Sequence, residues 1–346
     1  MKTLSGLNNI LLVITNKCNL SCEYCYMSNE PNYMDFNLTK KIIDNTDDNS
    51  NIEFFGGEPL LNADVVEQTL DYIKQQNRKL RSVIITNGTI FNDQVKRILT
   101  NHQCGIGISF DGINNFIRTH NKETDKLILQ NIKDISDFLK RDIGVKISIT
   151  PQNVHTLLDN VKWLYEEQNI KYLSHFLLRD DGWTPETVQT LREQLRLLIP
   201  YNKKHFNDGL RNDFLNIFID QYKRSYGCWA GKHGVGIDYK GDIYPCQRFL
   251  TNQQFKLGTV DTGIKNELFK YYDSKNFVGC QKCKIYDRCN DFCIASQLET
   301  NGTMFLPINN VCDAVRACRE EIEVILNDSE HLKMLKSTYQ NTYKKR

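Results

Sequence analysis

The stretch Asn9-Ile10-Leu11-Leu12-Val13-Ile14-Thr15-Asn16-Lys17-Cys18-Asn19-Leu20-Ser21-Cys22-Glu23-Tyr24-Cys25-Tyr26 carries the reading of this chain. Its first seven residues form an apolar run suited to a strand buried in a parallel sheet. Thr15-Asn16-Lys17 breaks that run, and three cysteines follow within eight residues. Outward from here, short apolar runs alternate with longer stretches of helical period, as expected of βα units that build a parallel sheet. Six strands are expected, at Asn9 to Thr15, Ile52 to Phe55, Ser82 to Thr86, Gly105 to Phe110, Val145 to Thr150 and Tyr172 to Leu178. Helix-like segments lie near 38–46, 62–76, 92–100, 125–140, 155–167 and 185–198. Several strands end in turn or polar signals: Thr15-Asn16-Lys17, Gly56-Gly57-Glu58-Pro59, Thr86-Asn87-Gly88-Thr89, Asp111-Gly112 and Pro151-Gln152-Asn153. In parallel α/β barrels the C-terminal ends of the strands carry the active site.

The length of 346 residues is enough for two or three domains. The periodic βα pattern gives way between about 200 and 227 to an aromatic helix-like stretch and then to cysteine-rich loops. Lys and Arg number 44 against 42 Asp and Glu, with the signs interspersed, so no footprint for nucleic acid or an anionic membrane surface is present. The basic tail Lys344, Lys345, Arg346 reads as a solvated terminus. Mean hydropathy is −0.49, and no apolar run approaches the roughly 18–20 residues of a membrane span. A soluble, cytoplasmic protein is expected, and there thiols stay reduced. Twelve cysteines in such a chain point to metal ligation rather than to disulfides. Three of them stand in the opening stretch, eight lie from Cys228 to Cys318, and Cys104 is alone between, where a buried small hydrophobe is the plain reading.

Cys18, Cys22 and Cys25 form a C-x3-C-x2-C arrangement directly after the first strand. Three thiolates on one short loop can hold three irons of a [4Fe–4S] cluster and leave the fourth open to a small molecule. Zinc is the alternative, although a closed zinc site wants a fourth ligand that is not local. With Tyr24 before the third cysteine, this arrangement resembles the signature of radical S-adenosylmethionine (SAM) enzymes. Gly56-Gly57-Glu58-Pro59 resembles that family's GGEP-type turn, whose backbone groups and Glu58 would receive the methionyl amine of SAM. Glycines admit close backbone approach, and a carboxylate suits an ammonium group. Taken alone, the four residues would be an ordinary turn. Ser109-Phe110-Asp111-Gly112 resembles the family's S-x-D-G segment, and Asn153 a polar position near the ribose. By default these are turn residues, and Leu177 and Leu178, which can pack on an adenine, are by default core.

The later cysteines run Cys228-x12-Gly241-x4-Cys246, then Cys280-x2-Cys283-x5-Cys289-x3-Cys293, then Cys312. This pattern resembles the SPASM domain, the auxiliary-cluster module attached to many radical SAM peptide-modifying enzymes; a two-zinc ribbon is the alternative. The resemblance implies that Cys280, Cys283, Cys289 and Cys312 ligate an outer cluster, and Cys228, Cys246 and Cys293 an inner one that lacks a fourth cysteine. The expected architecture is a partial (β/α)6 TIM-like barrel at 1–200, a linking helical segment at 201–227, a SPASM domain at 228–325 and a tail at 326–346.

The resemblance further implies three [4Fe–4S] clusters and SAM as cofactors, with a 5′-deoxyadenosyl radical abstracting hydrogen from substrate and the auxiliary clusters taking the leftover electron. The expected partners are a precursor peptide, a reductant such as flavodoxin or ferredoxin and, if a leader is recognised, either a separate leader-peptide-binding protein or an atypical surface of this chain, because only 17 residues precede Cys18. The expected reaction is a net two-electron oxidation of a ribosomally made peptide, as a thioether or carbon–carbon crosslink. Anaerobic sulfatase maturases, which form formylglycine from Cys or Ser, are the enzymatic alternative. They carry an Asp, proposed as base, after the cysteine matching Cys246, where this chain has Gln247, and Gln cannot act as a base. A non-catalytic iron–sulfur or zinc-ribbon protein is the alternative of another class. For a general base, Asp180, Asp181, His175 and Tyr239 are candidates by residue type alone, and the catalytic base is otherwise unassigned.

Overall fold

The computed structural model describes residues 3–180, 182–215, 228–250, 252–265, 277–286, 289 and 293–343. In chain order the first elements are β1 (Asn9–Thr15), α1 (Phe36–Asn45), β2 (Asn51–Gly56), α2 (Ala63–Gln75), β3 (Arg81–Thr86), α3 (Asp93–Asn101), β4 (Cys104–Ser109), α4 (Phe116–Thr119) and α5 (Lys122–Leu139). Then come β5 (Val145–Ile149), α6 (Leu157–Lys162), β6 (Tyr172–Leu177), α7 (Pro185–His205) and β7 (Arg211–Asn212). The later elements are β8 (Gly234–Ile237), β9 (Asp242–Tyr244), β10 (Gly258–Thr259), β11 (Gly263–Ile264), α8 (Ile294–Asn301), α9 (Asn309–Ile322) and α10 (Ser329–Tyr343). Each of the six expected strands forms within one residue of its expected limits.

Two compact units divide the chain. The first comprises Met1–Phe110, Asn115–Arg141 and Trp229–Tyr272. Its sheet runs β11-β10-β9-β8-β1-β2-β3-β4, parallel from β8 through β4 and antiparallel from β8 outward. In β1 the side chains of Ile10, Leu12, Val13 and Ile14 are fully buried, each stabilising the fold by roughly 1.5–3 kcal/mol. Ile10 stands opposite Ile52 and Val235, and Leu12 opposite Phe54 and Ile237. A shift of register between Val13 and Thr15 ends the ladder, and such a bulge bends the strand immediately before the cysteine loop.

The second unit comprises Asp111–Asn114, Asp142–Cys228 and Asp273–Arg346, with β5, β6 and β7 parallel. Side-chain caps start the helices: Asp35 accepts from Leu38 N–H at α1, Asn92 from Val95 N–H at α3 and Asn121 from Glu123 N–H at α5. Thr184 and Thr187 cap α7 reciprocally, with Pro185 in its first turn. The helix expected to end at 198 runs on to His205 through Pro200, because Leu191, Leu195, Leu198 and Asn202 keep one buried stripe. Glu321 on α9 meets Arg196 of α7 bidentately at 2.7 and 2.8 Å and Arg192 at 3.2 Å. The segment expected at 155–167 is α6 followed by a π-helical turn, Trp163–Glu167.

The mixed α/β class with its parallel sheet is as expected. The stretch 216–227 in the expected linker, together with Asp181 and the basic tail Lys344 to Arg346, lies outside the described residues. Among the described residues no helix is long and apolar enough to cross a membrane.

Candidate active site

The C-terminal ends of β1, β2 and β3 meet at the cysteine loop. Thr15 Oγ1 donates to Asn32 O at 2.7 Å and accepts Lys17 N–H at 3.0 Å, closing the base of the loop. Within it Asn29 Oδ1 accepts Cys18 N–H at 2.8 Å, and Cys25 N–H donates to Cys22 O at 3.0 Å. Cys18 and Cys22 are partly exposed and Cys25 is exposed, and none of the twelve cysteines is in a disulfide.

The Gly56-Gly57-Glu58-Pro59 turn lies against this loop. Gly57 N–H donates to Thr15 O and Glu58 N–H to Lys17 O, both at 2.8 Å. A Cβ on Gly56 would sit 2.1 Å from Thr15 O, and one on Gly57 would sit 2.3 Å from Lys17 O and 2.5 Å from Asn16 O. The backbone that the glycines admit is therefore the cysteine loop's own, a demand that exists before any ligand binds. Gly56 also adopts a φ of 143°, outside the range favoured by other residues.

Glu58 is fully buried. Its carboxylate accepts Thr86 Oγ1–H at 2.8 Å and Leu60 N–H at 3.1 Å on one oxygen, and Asn87 N–H at 2.7 Å on the other. Burial pushes its pKa up to about 7, against the pull of those donors and of the Arg118 charge. Asn87 Nδ2 donates to Asn19 Oδ1 at 2.8 Å and to Cys18 Sγ at 3.7 Å, so one residue joins the acidic turn to the first thiol. The Cys18 thiol is itself held above its ordinary value, first by burial and further by the charges of Glu58 and Cys25.

Tyr24 is gripped from the other side of the loop. Arg118 Nη1 donates to its hydroxyl at 2.5 Å, and the guanidinium lies 5.8 Å from the ring centre. Glu23 N–H donates to Ile117 O at 3.0 Å, and His120 Nε2 lies 3.0 Å from Ser21 O. Thr86, Asn87 and Arg118 were not singled out from the sequence. Asn87 and Thr86 sit in a turn that the sequence showed, but Arg118 carries no local signal.

Tyr26, next to Cys25, is hydrogen-bonded by the Gln247 side chain and lies under Arg248, whose guanidinium is 5.3 Å from the ring centre. Burial of the hydroxyl raises its pKa, and the charges of the nearby Cys246 and Cys25 thiols add to the effect. Cys246 is buried, and the Gln247 side-chain oxygen has no hydrogen-bond partner among the described residues.

Ser109 is half-buried at the end of β4. In the second unit Asp111 Oδ1 accepts Ser148 N–H at 2.7 Å, and Asn160 Oδ1, which accepts Ile113 N–H, fills the space where a Cβ of Gly112 would lie. The Asn153 amide is spent locally: its oxygen accepts Thr150 N–H and its nitrogen donates to Ser148 O, both at 2.8 Å. Leu177 is buried core. Of the base candidates, His175 is buried with Nδ1 3.2 Å from Asn212 Oδ1, and burial lowers its pKa to about 4. Asp180 accepts from Ser296 Oγ at 2.7 Å, and Tyr239 stacks under Lys240.

The second unit also gathers thiols. Cys312 on α9 is pushed up to about 12, first by burial and then by the charges of Cys289, Cys280 and Cys283. Cys283 N–H donates to Cys280 O at 2.9 Å. Cys280, Cys283 and Cys289 thus lie near enough for their charges to act on Cys312, and a four-sulfur donor set is of the kind that suits iron–sulfur ligation. Among the described residues no three His, Cys, Asp or Glu side chains are drawn up around a single-ion position. Cys228 and Cys293 belong to the second unit and Cys246 to the first. Cys104 is buried and its thiol pushed up to about 12 by desolvation, as a small hydrophobe's would be.

A family model described as the radical SAM superfamily matches residues 12–164. The uncharacterized protein MJ0907 of Methanocaldococcus jannaschii is 33% identical over 254 residues, spanning 70% of this chain and 85% of that one. The cysteine-type anaerobic sulfatase-maturating enzyme of Clostridium novyi is 23% identical over 337 residues, covering 84% of this chain and 88% of that protein. Among solved structures, native anSMEcpe with bound AdoMet and Cp18Cys peptide superposes with a TM-score of 0.74 at 18% identity, covering 93% of this chain and 98% of that one. That likeness shows a shared fold.

Proposed function

The chain belongs to the radical SAM superfamily, and from that premise we propose that it is a cytoplasmic oxidoreductase that crosslinks a ribosomally made peptide, through a thioether or carbon–carbon bond, in a net two-electron oxidation. The observation that carries the reading is the packing of Gly57 and Glu58 against the cysteine loop, which sets a buried carboxylate beside Cys18. In this reading Cys18, Cys22 and Cys25 hold the SAM-binding [4Fe–4S] cluster, and the turn Gly56 to Pro59 takes the methionyl amine. Loaded with cluster and SAM, the site would supply a one-electron reductive cleavage and a radical that abstracts hydrogen.

The chain's own residues do the rest. Glu58 offers a desolvated acceptor to an ammonium group, which would hold it ionised. Asn87 and the Arg118–Tyr24 pair fix the loop that carries the thiols. Ser109 and the Asn153 turn belong to the strand ends proposed to line the nucleoside. Cys280, Cys283, Cys289 and Cys312 hold an outer auxiliary cluster in a SPASM region, and Cys228, Cys246 and Cys293 an inner one. The precursor peptide, a flavodoxin or ferredoxin and a leader-binding protein are the proposed partners.

The Clostridium novyi relative favours a second reading, formylglycine formation. Against it stands Gln247, whose amide hydrogen-bonds Tyr26 and has no basic site. A non-catalytic iron–sulfur protein would account for the glycines packed on the cysteine loop but not for a carboxylate desolvated beside it. The test is anaerobic iron and sulfide quantitation with 5′-deoxyadenosine release, on wild type and on the Cys18→Ala/Cys22→Ala/Cys25→Ala variant. About 12 irons per chain and release abolished in the variant are expected. Zinc in place of iron, or no release from reduced, iron-loaded protein, would sink the enzyme reading, and formylglycine from a Cys peptide would replace the crosslinking one.

A further inference from the structure

Arg316 stands one helical turn beyond Cys312 on α9. Its Nη1 lies 3.9 Å from Cys283 Sγ, within reach of an N–H···S hydrogen bond, and its charge also acts on the Cys312 thiol. The same guanidinium is paired with Asp313, its neighbour three residues back on the helix. A cation and its counter-carboxylate therefore adjoin two of the four thiols proposed to hold the outer cluster. Arg316 keeps a third of its side-chain surface exposed and Asp313 half, so neither belongs to the packed core that holds α9 in place.

Hydrogen bonds to cluster sulfurs and nearby charge are two of the levers by which a protein sets the potential of an iron–sulfur centre. A donor and positive charge at the sulfurs favour the reduced, more negative cluster, and a carboxylate disfavours it. We infer that Arg316 raises the reduction potential of a cluster held by Cys280, Cys283, Cys289 and Cys312, and that Asp313 moderates it. This rests on the reading of those four cysteines as cluster ligands. Arg316 acts here as a tuning residue beside the cluster, with no contact to substrate required of it.

The experiment uses the full chain, reconstituted anaerobically with ferrous iron and sulfide, in the Cys18→Ala/Cys22→Ala/Cys25→Ala background so that the SAM-binding cluster is absent. Iron and sulfide are counted first, with and without Cys280→Ala/Cys283→Ala. Iron and sulfide unchanged by that double substitution would overturn the ligand reading, and the inference with it. With the ligand reading upheld, the midpoint potential of the EPR signal that Cys280→Ala/Cys283→Ala removes is measured by titration in the parent, Arg316→Gln and Asp313→Asn. The expected result is a shift to more negative potential in Arg316→Gln and to more positive potential in Asp313→Asn, at unchanged iron content. Arg316→Lys, which keeps the charge but not the forked donor, should fall between Arg316→Gln and the parent. A midpoint unmoved in both Arg316→Gln and Asp313→Asn, or moved in the same direction by both, would overturn the tuning role while leaving the ligand reading intact.

Discussion

Raising the pH should cost the SAM-free protein stability through a single carboxyl group. Glu58 is fully buried, and burial carries its pKa from the ordinary 4.5 to about 7 despite three hydrogen bonds to the carboxylate. A pKa raised on folding contributes stability that is fully present below the unfolded value and is lost as pH rises through the folded one. The window is therefore from 4.5 to about 7. At about 1.36 kcal/mol per pH unit, the loss across it amounts to roughly 3 kcal/mol.

The assay is urea unfolding under anaerobic conditions at about pH 5.5 and about pH 8.5, comparing wild type with Glu58→Gln so that all other titrating groups cancel. Gln has no proton to lose, so the difference between the two proteins should shrink or change sign at the higher pH. At the lower pH the variant should be the weaker by about 1–3 kcal/mol, because its NH2 must confront Asn87 N–H or the Thr86 and Leu60 donors. SAM supplies an ammonium group, so in its presence the wild-type slope should flatten, and its affinity should rise with pH. Parallel pH profiles for the two proteins would refute the claim that Glu58 is desolvated in the folded state.

Gly57→Ala should be far worse than an ordinary Gly→Ala change, since its Cβ would meet two backbone oxygens that can yield only by moving the cysteine loop. A lowered melting temperature together with iron missing from the first loop is expected, and normal iron loading would contradict the packing described. Glu321→Gln should destabilise the second unit by about 1–2 kcal/mol, read as a lower denaturation midpoint, because Arg192 and Arg196 both lean on a carboxylate that is only 11% exposed. Cys104→Ala should leave iron content unchanged, and in the native protein the Cys104 thiol should resist alkylation, since burial raises its pKa to about 12. Rapid labelling there would contradict its place in β4.

The strands and most helix starts were legible because their signals are local: apolar runs bounded by turns, and stretches of helical period between them. The cysteine loop and the Gly56 to Pro59 turn were legible for the same reason. Arg118 was not, because its partner Tyr24 lies 94 residues away, and only the fold brings them together. Nor could spacing reveal that Gly57 admits the backbone of Lys17, a contact set by the register of β1 on β2 and the bulge that ends it. Gln247 shows both sides of this limit. In sequence it marks a departure from a carboxylate; in the structure it lies beside Tyr26, which feels the charges of both Cys25 and Cys246. A carboxylate there would place a negative charge beside a phenol that burial already makes slow to ionise. The amide instead donates to the phenol and leaves its side-chain oxygen as an acceptor with no donor among the described residues. The substitution therefore exchanges a proton-accepting group for a neutral hydrogen-bonding one at the edge of the first cysteine loop. That exchange alters which chemistry this position can serve.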